Sequence, residues 1–237
     1  MTKLDLIIPA YNEEKRIGPT LRTYLEYFDE SVRLTVVLNG CTDNTAAIVE
    51  SYQSWAGDRL RLIESTGTAG KGRAIVEGWK ASDSELLGFV DADASTNPGE
   101  FEKLMLAVDG VDGVIASRFM PGATIVNRQG SLRTLMSRAF STAVKIIFGM
   151  PFQDTQCGAK IFHRSALAPI LDKLQETSMV FDVELLWRLY KNGSTIREIP
   201  SYWVDKAGSP LLGHTGSFLR TGSLMLLGLF RIRFNRQ

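Results

Sequence analysis

The chain has 237 residues, 44% of them hydrophobic and 22% charged, and a formal net charge of +1. That supplies apolar material for a full core, and the near-neutral balance argues against a general nucleic-acid binder, which needs a concentrated basic surface for phosphate contacts. Two cysteines, Cys41 and Cys157, stand far apart without metal-type spacing, and the amino-terminal segment holds no apolar signal-peptide core, so a reducing, cytoplasmic setting is expected.

Leu4 to Pro9 is a strand closed by proline, followed by the polar loop Ala10-Tyr11-Asn12-Glu13-Glu14 and a helical pattern through Ile17, Leu21, Tyr24, Leu25 and Phe28. Leu34 to Leu38 repeats the unit, with a turn at Asn39-Gly40-Cys41-Thr42 and a helix capped by Thr42 or Asp43. Leu60 to Ile63 is a third strand, and Gly67 to Ala74 a glycine-rich loop that enters a helix. Leu86 to Val90 is a short apolar run between polar segments, the signature of a buried parallel strand. Strand and helix alternating in this way predict a mostly parallel sheet flanked by helices, an α/β fold with right-handed crossovers.

The fourth strand runs directly into Asp91-Ala92-Asp93. Ligands bind at the carboxyl ends of strands in open α/β sheets, and alternate residues of an extended segment point the same way, so both carboxylates are expected to face one cation. Mg²⁺ or Mn²⁺ prefers oxygen ligands and commonly keeps substrate phosphates in its shell. An Asp-rich turn capping the helix that starts at Pro98 is the plainer alternative. Lys71 is followed by Gly72 rather than Ser or Thr, which excludes a Walker loop, but a lysine at a helix amino terminus suits a phosphate.

Beyond Asp93 the spacing predicts a helix from Pro98 through Val108 and a strand from Gly113 to Ser117 that delivers Arg118. A loop is expected from Phe119 to Gly130, then a helix with Leu132, Leu135, Met136, Ala139, Phe140, Ala143, Val144 and Ile147 on one face and Arg133, Ser137, Arg138, Ser141 and Lys145 opposite. Such a basic amphipathic helix packs on a core or lies on a membrane. The polar run Phe152 to Lys160 suggests a site on a loop, and a helix is expected from Ser165 through Leu174. Phe181 opens another helix, whose Asp182 and Glu184 suit the helix dipole without further function. Ile196 to Pro200 is a last strand and Trp203 to Pro210 a loop. Phe218 to Phe234 is apolar around most of a helical circumference, too short and glycine-interrupted for a span, so an interfacial helix or one packed on protein is expected.

Taken together, Pro9-Ala10-Tyr11-Asn12-Glu13, Asn39-Gly40-Cys41-Thr42-Asp43-Asn44-Thr45, Gly70-Lys71-Gly72-x-Ala74 and Asp91-Ala92-Asp93 resemble, in order, the motifs of the inverting glycosyltransferases of family 2, with a Rossmann-like GT-A fold. Asp154 to Lys160, Phe181 to Leu186 and Gly208-Ser209 are similar to the dolichyl-phosphate glucosyltransferase branch, whose relatives include polyprenyl-phosphate mannosyltransferases. The resemblance implies one domain over 1–214, with a nucleotide-sugar half (1–118) and an acceptor half (119–214), and an amphipathic helix over 215–237. It implies a nucleotide-sugar donor, UDP-glucose favoured, bound by Pro9, Ala10, Tyr11, Glu13, Asn39, Asp43, Lys71, Asp91 and Ala92, with Asp91 and Asp93 on the metal. The polyprenyl or dolichyl phosphate acceptor would meet Arg133, Arg138, Gln156 and Lys160, with Asp93, Asp154 and Arg118 in catalytic roles; Arg118 ranks first for the acceptor phosphate because it ends a strand. Two departures stand out. Leu38 and Asn39 occupy places where the family commonly has aspartates, and the amino-terminal anchor frequent in the branch is not seen, so attachment is expected through the carboxyl-terminal helix, peripherally on the cytoplasmic face of a membrane. Alternatives are a family 2 enzyme acting on a polysaccharide or protein, and a nucleotide-sugar-binding subunit without turnover; a nucleic-acid partner is not expected.

Overall fold

The computed structural model describes residues 2–67, 70–126, 131–204 and 215–234, without the side chains of 131–135 and 215–223. The amino-terminal half alternates β1 (Leu4–Ala10), α1 (Ile17–Tyr27), β2 (Val32–Leu38), α2 (Thr45–Ala56), β3 (Leu60–Glu64), α3 (Lys71–Ala81), β4 (Leu86–Val90), α4 (Pro98–Ala107) and β5 (Gly113–Ser117). Then come β6 (Thr124–Val126), α5 (Ser131–Phe148), β7 (Ala159–His163), α6 (Arg164–Leu167), α7 (Phe181–Lys191), β8 (Ile196–Pro200), β9 (Tyr202–Val204) and α8 (Thr215–Phe234). A seven-stranded sheet has the order β3-β2-β1-β4-β7-β5-β8, so strands of both halves share it. Every pairing in it is parallel except those of β7, which runs against β4 and β5.

Both faces of the sheet are covered, which is why its central strands read as continuous apolar runs. Leu4, Leu6 and Ile8 pack with Leu21 and Tyr24 of α1, Val49 of α2 and Phe101 of α4. Ile7, Leu87 and Phe89 face the other way, onto Trp79 of α3, Phe148 of α5, Phe181 and Leu185 of α7 and Leu229 of α8. One charged cluster lies on the second face, in line with Ile7. Asp5 is fully buried, and its carboxylate takes Arg33 Nη2 at 2.6 Å, Arg33 Nε at 3.0 Å and Thr35 Oγ1 at 2.7 Å.

Four expectations are corrected. The span Ser165–Leu174 is a short turn of helix α6 and a 3₁₀ turn, Leu171–Lys173, because Pro169 has no N–H with which to continue the ladder. Ala159 to His163 is a strand, hidden by the lysine at its second position. The expected loops after Phe119 and from Trp203 contain β6 and β9, which pair with each other in a small second sheet; residues 205–214, including Gly208-Ser209, lie outside the described residues. On α5, Ser141 is buried and Ala139 exposed, so the packed edge is rotated toward Val144 and Phe148.

The antiparallel course of β7 positions the site. Its first residue, Ala159, pairs with Val90, the last of β4, and Asp91 N–H donates to Gly158 O at 3.2 Å. The polar run before β7 therefore meets the carboxyl end of β4. Replacing Arg33 by Met should lower the unfolding free energy by about 3 kcal/mol, the usual effect of stranding a buried charge. Asp83→Ala, which removes the exposed second partner of Arg33, should leave it nearly unchanged; guanidinium unfolding of the two variants checks the contrast.

Candidate active site

The turn after β4 is tied down from α1. Thr20 Oγ1 donates to Ala92 O at 2.9 Å, Tyr24 Oη donates to Thr96 O at 2.8 Å, and Ala94 takes a φ of +51°. Asp93 accepts the Ser95 N–H at 2.9 Å on Oδ1, while its Oδ2 lies 3.8 Å from Arg16 Nη1. Asp91 Oδ1 is 3.0 Å from Lys71 Nζ. Gly158 backs directly onto the Asp91 carboxylate, so that any side chain there would collide with it. Burial raises the pKa of Asp91, Lys71 pulls it back, and neighbouring Asp93 adds to the rise. Glu13, clasped by Arg16 at 2.6 and 2.7 Å, is likewise raised by burial against the pull of Arg16, with contributions from Asp93 and Asp91. The Asp91 and Asp93 carboxylates thus share one end of the sheet, and no group of three or more metal-ligating side chains is gathered among the described residues. Two carboxylates suit a hard divalent cation when a bound ligand supplies the rest of its oxygen shell.

Behind Asp91 lies a chain of alternating charges. Asp182, at the start of α7, accepts Lys160 Nζ on Oδ1 at 2.5 Å and lies 3.5 Å from Lys71 Nζ through Oδ2. Lys160 also donates to Cys157 O at 2.6 Å. Both ammonium groups stand over the ring of Phe89, at 5.3 Å for Lys71 and 5.1 Å for Lys160. Burial would lower the pKa of Lys71, but Asp182 and Asp91 outweigh it and leave it raised. The close approach of α7 depends on Gly72, where a Cβ would lie 2.6 Å from that of Phe181. Lys160, expected to meet the acceptor, is 0% exposed and turned to Asp182, so it supports the site from beneath. Asp182 itself escaped the sequence reading, since acids in a first helical turn are common for dipole reasons alone.

On the expected nucleotide side the polar residues largely hold loops together. Asn39 N–H donates to Ala10 O at 2.8 Å, and Asn39 Oδ1 accepts the Gly70 N–H at 2.7 Å, joining the second motif to the glycine-rich loop. Asp43 accepts Thr45 Oγ1 at 2.5 Å, Thr45 N–H at 3.0 Å and Glu14 N–H at 3.1 Å; burial would raise its pKa, and these bonds lower it. Asn12 has a φ of +53° and accepts the Thr42 N–H. Pro9 ends in the sheet opposite Val37, while the Tyr11 ring is exposed at the edge.

Across the crevice, Arg118 follows β5. Its Nε and Nη2 contact Asp154 Oδ2 and Oδ1 at 2.7 and 2.9 Å, and its backbone N–H adds a bond of 3.0 Å. Asp154 is fully buried and also accepts the Gln156 N–H, so each of its oxygens carries two hydrogen bonds. Burial would raise its pKa; the Arg118 charge and bonds hold it below the usual carboxylate range. Glu198 of β8 takes the N–H groups of Gln153 and Asp154 and sets the loop. The Arg118 guanidinium lies between the rings of Phe119, 5.4 Å away, and Trp203, 5.3 Å away, and Arg138 stands on Phe119 at 5.8 Å. Asp154, expected in a catalytic role, is engaged with Arg118. Gln156 keeps its loop position with a buried Nε2 that has no partner among the described residues, and the Arg133 side chain lies outside them.

Comparison with known proteins accords with this geometry. The chain is 28% identical to glycosyltransferase AglD of Haloferax volcanii over 92% of its own length and 37% of that protein's. It is 32% identical to a dolichyl-phosphate beta-glucosyltransferase of Trichomonas vaginalis, over 86% of this chain and 65% of the relative. It therefore spans less than two thirds of either. A crystal structure of glucosyl-3-phosphoglycerate synthase from Mycobacterium tuberculosis with Mg²⁺ and uridine diphosphate shares the fold, at a TM-score of 0.74 and 18% identity, over 100% of this chain and 81% of that one. The model of glycosyl transferase family 2 matches residues 5–171, most of the sheet and the whole Asp91–Asp93 turn, and the chain belongs to that family.

Proposed function

We propose that the chain transfers a hexosyl group, glucose ahead of other sugars, from a nucleoside diphosphate to a polyprenyl or dolichyl phosphate at a membrane surface, with inversion at the anomeric carbon. The observation that carries this reading is the saturated Asp154. A hydroxyl acceptor needs a base with a free oxygen, whereas a lipid phosphate is ionised near neutral pH and needs a cation. Arg118, aligned by Asp154 and flanked by two rings, is such a cation, and a guanidinium fork suits phosphate oxygens. Arg138, and Arg133 on the same helix, would extend the basic surface, with Gln156 beside them.

A phosphate oxygen of the acceptor attacks the anomeric carbon as the bond to the donor diphosphate breaks, and the diphosphate leaves with the electron pair. Pro9, Ala10, Tyr11, Glu13, Asn39 and Asp43 frame the nucleoside, Ala92 fixes the turn, and Lys71 faces the diphosphate. Mg²⁺ or Mn²⁺, held by Asp91 and Asp93, would stabilise the charge developing on the departing diphosphate. Uracil as the base and glucose as the sugar are favoured by the likeness to the Trichomonas dolichyl-phosphate beta-glucosyltransferase and by the uridine diphosphate of the mycobacterial structure. Separate incubations of labelled UDP-glucose, UDP-N-acetylglucosamine and GDP-mannose with polyprenyl phosphate and Mg²⁺ should yield organic-soluble label from UDP-glucose foremost; label that stays aqueous in all three refutes the acceptor.

The membrane surface is supported by α8 and α5. Leu229 and Ile232 are buried on the core and Gly228 abuts Val180, whereas Leu224, Leu226, Leu227, Phe230 and Phe234 are exposed, as is Ile146 of α5. The helix is thus half core and half open apolar surface. Neither helix contains an acidic residue, and Arg138, Lys145, Arg231 and Arg233 surround the patch, each worth about 1 kcal/mol at an anionic surface. No helix among the described residues is long and apolar enough to cross a membrane. The exposed apolar surface and the basic residues beside it support peripheral attachment, which we place at an anionic, cytoplasmic leaflet.

Arg118→Ala should reduce transfer to lipid phosphate by a factor of about 100 or more while UDP affinity changes less than threefold, consistent with the ~3 kcal/mol of a charge-assisted contact; calorimetry beside the transfer assay separates the two, and equal losses would place Arg118 on the donor side. Leu224→Glu with Leu227→Glu, at positions 58% and 61% exposed, should abolish sedimentation with anionic liposomes without moving the melting temperature. Asp93→Asn should remove most turnover and leave the fold intact, as circular dichroism would verify.

A further inference from the structure

The Lys71 ammonium lies against Asp91, one of the two carboxylates read above as holding the cation. It is 3.0 Å from Asp91 Oδ1, within 3.5 Å of Asp182 Oδ2 and over the Phe89 ring. Gly158 leaves no room for a side chain beside Asp91 Oδ2, and Oδ1 is the oxygen that meets Lys71. A cation that takes Oδ1 competes with that ammonium.

The local charges decide which of the two prevails. Glu13, Asp91, Asp93 and Asp182 supply four negative charges, and Arg16, Lys71 and Lys160 supply three positive ones. A divalent ion arriving alone meets one uncompensated negative charge and has to displace a largely buried ammonium whose other partner, Asp182, is already shared with Lys160. A nucleoside diphosphate arriving with the ion changes both conditions. It brings negative charge of its own and offers Lys71 new oxygens, so the exchange conserves pairing in a region of low dielectric where an unpaired charge is costly.

We propose that Lys71 is a built-in competitor for the cation position on Asp91, anchored by Asp182, and that it makes a divalent cation and a nucleoside diphosphate bind as one unit. This rests on the donor-site reading above and adds to it an exchange that the ligand-free geometry already holds poised. Lys71 thereby opposes the cation before the diphosphate arrives and assists the diphosphate afterwards.

The test is Mn²⁺ binding, read from the spin-resonance signal of the free ion, with and without UDP. For the unaltered chain UDP should tighten Mn²⁺ strongly. In Lys71→Met, and in Lys71→Gln, which keeps a polar end and guards against misfolding of the first, Mn²⁺ alone should bind at least about tenfold more tightly, and the enhancement by UDP should shrink. Unchanged or weaker Mn²⁺ binding in variants with native circular dichroism, or an undiminished UDP effect, would overturn the competition while leaving the donor site standing. If the unaltered chain retains no Mn²⁺ even with UDP, the donor-site reading falls and this inference with it.

Discussion

Lys160 carries a positive charge where no water reaches it, and much of the molecule is ordered by the need to answer that charge. A buried ammonium requires a partner at hydrogen-bond distance, and Asp182 is that partner. For Asp182 to reach β7, α7 must lie close against α3, which glycine at 72 allows. The amino terminus of α3 then presents Lys71 to the second oxygen of the same carboxylate, and Lys71 in turn reaches Asp91. Phe89 offers its face to both ammonium groups. Charges of alternating sign thus run from the interior to the crevice across four elements, and no link can be altered without disturbing its neighbours.

The second constraint is direction. In a parallel sheet the segment that enters a strand lies at the end opposite the ligand crevice. By running backward between β4 and β5, β7 brings residues 154–158 to the carboxyl ends of its neighbours, so the loop that holds Arg118 and the turn that carries Asp91 share one end. Arg118 is close enough to Asp91 that the carboxylate helps to raise its pKa, although burial opposes this and Asp154 contributes more. The Asp91 turn and the loop that holds Arg118 could not meet at one end of this sheet if the strand ran with the rest.

The alternation of strand and helix up to Ser117, and the placement of Asp91, Asp93 and Arg118 at strand ends, were legible because period and boundary residues report local structure directly. What escaped was of two kinds. β6 and β9 are three residues each, too short to make a pattern, and β7 carries Lys160 where a buried strand should be apolar. The other kind concerns partners. Sequence placed Asp154 and Lys160 near a site but could not reveal that Arg118 occupies one and Asp182 the other, because such pairings are fixed by elements remote in the chain. Asp182 was disguised by the ordinary acidity of helix beginnings, and Trp203 by its place in an apparent loop.

Only Ser201 separates β8 from β9, yet the two strands belong to different sheets. Its N–H donates to Ser117 O and its carbonyl accepts the Thr124 N–H, so the passage is pinned on both sides. The same short segment carries Glu198, which shapes the loop under Arg118, and Trp203, whose ring covers it. Side chains in an extended chain alternate between faces, so one residue gained or lost between these two would turn the indole to the opposite side while the carboxylate stayed in register. Length is therefore under restraint here as well as composition: the interval from 198 to 203 works as a ruler, and its five steps are part of the site as surely as the residues at its ends.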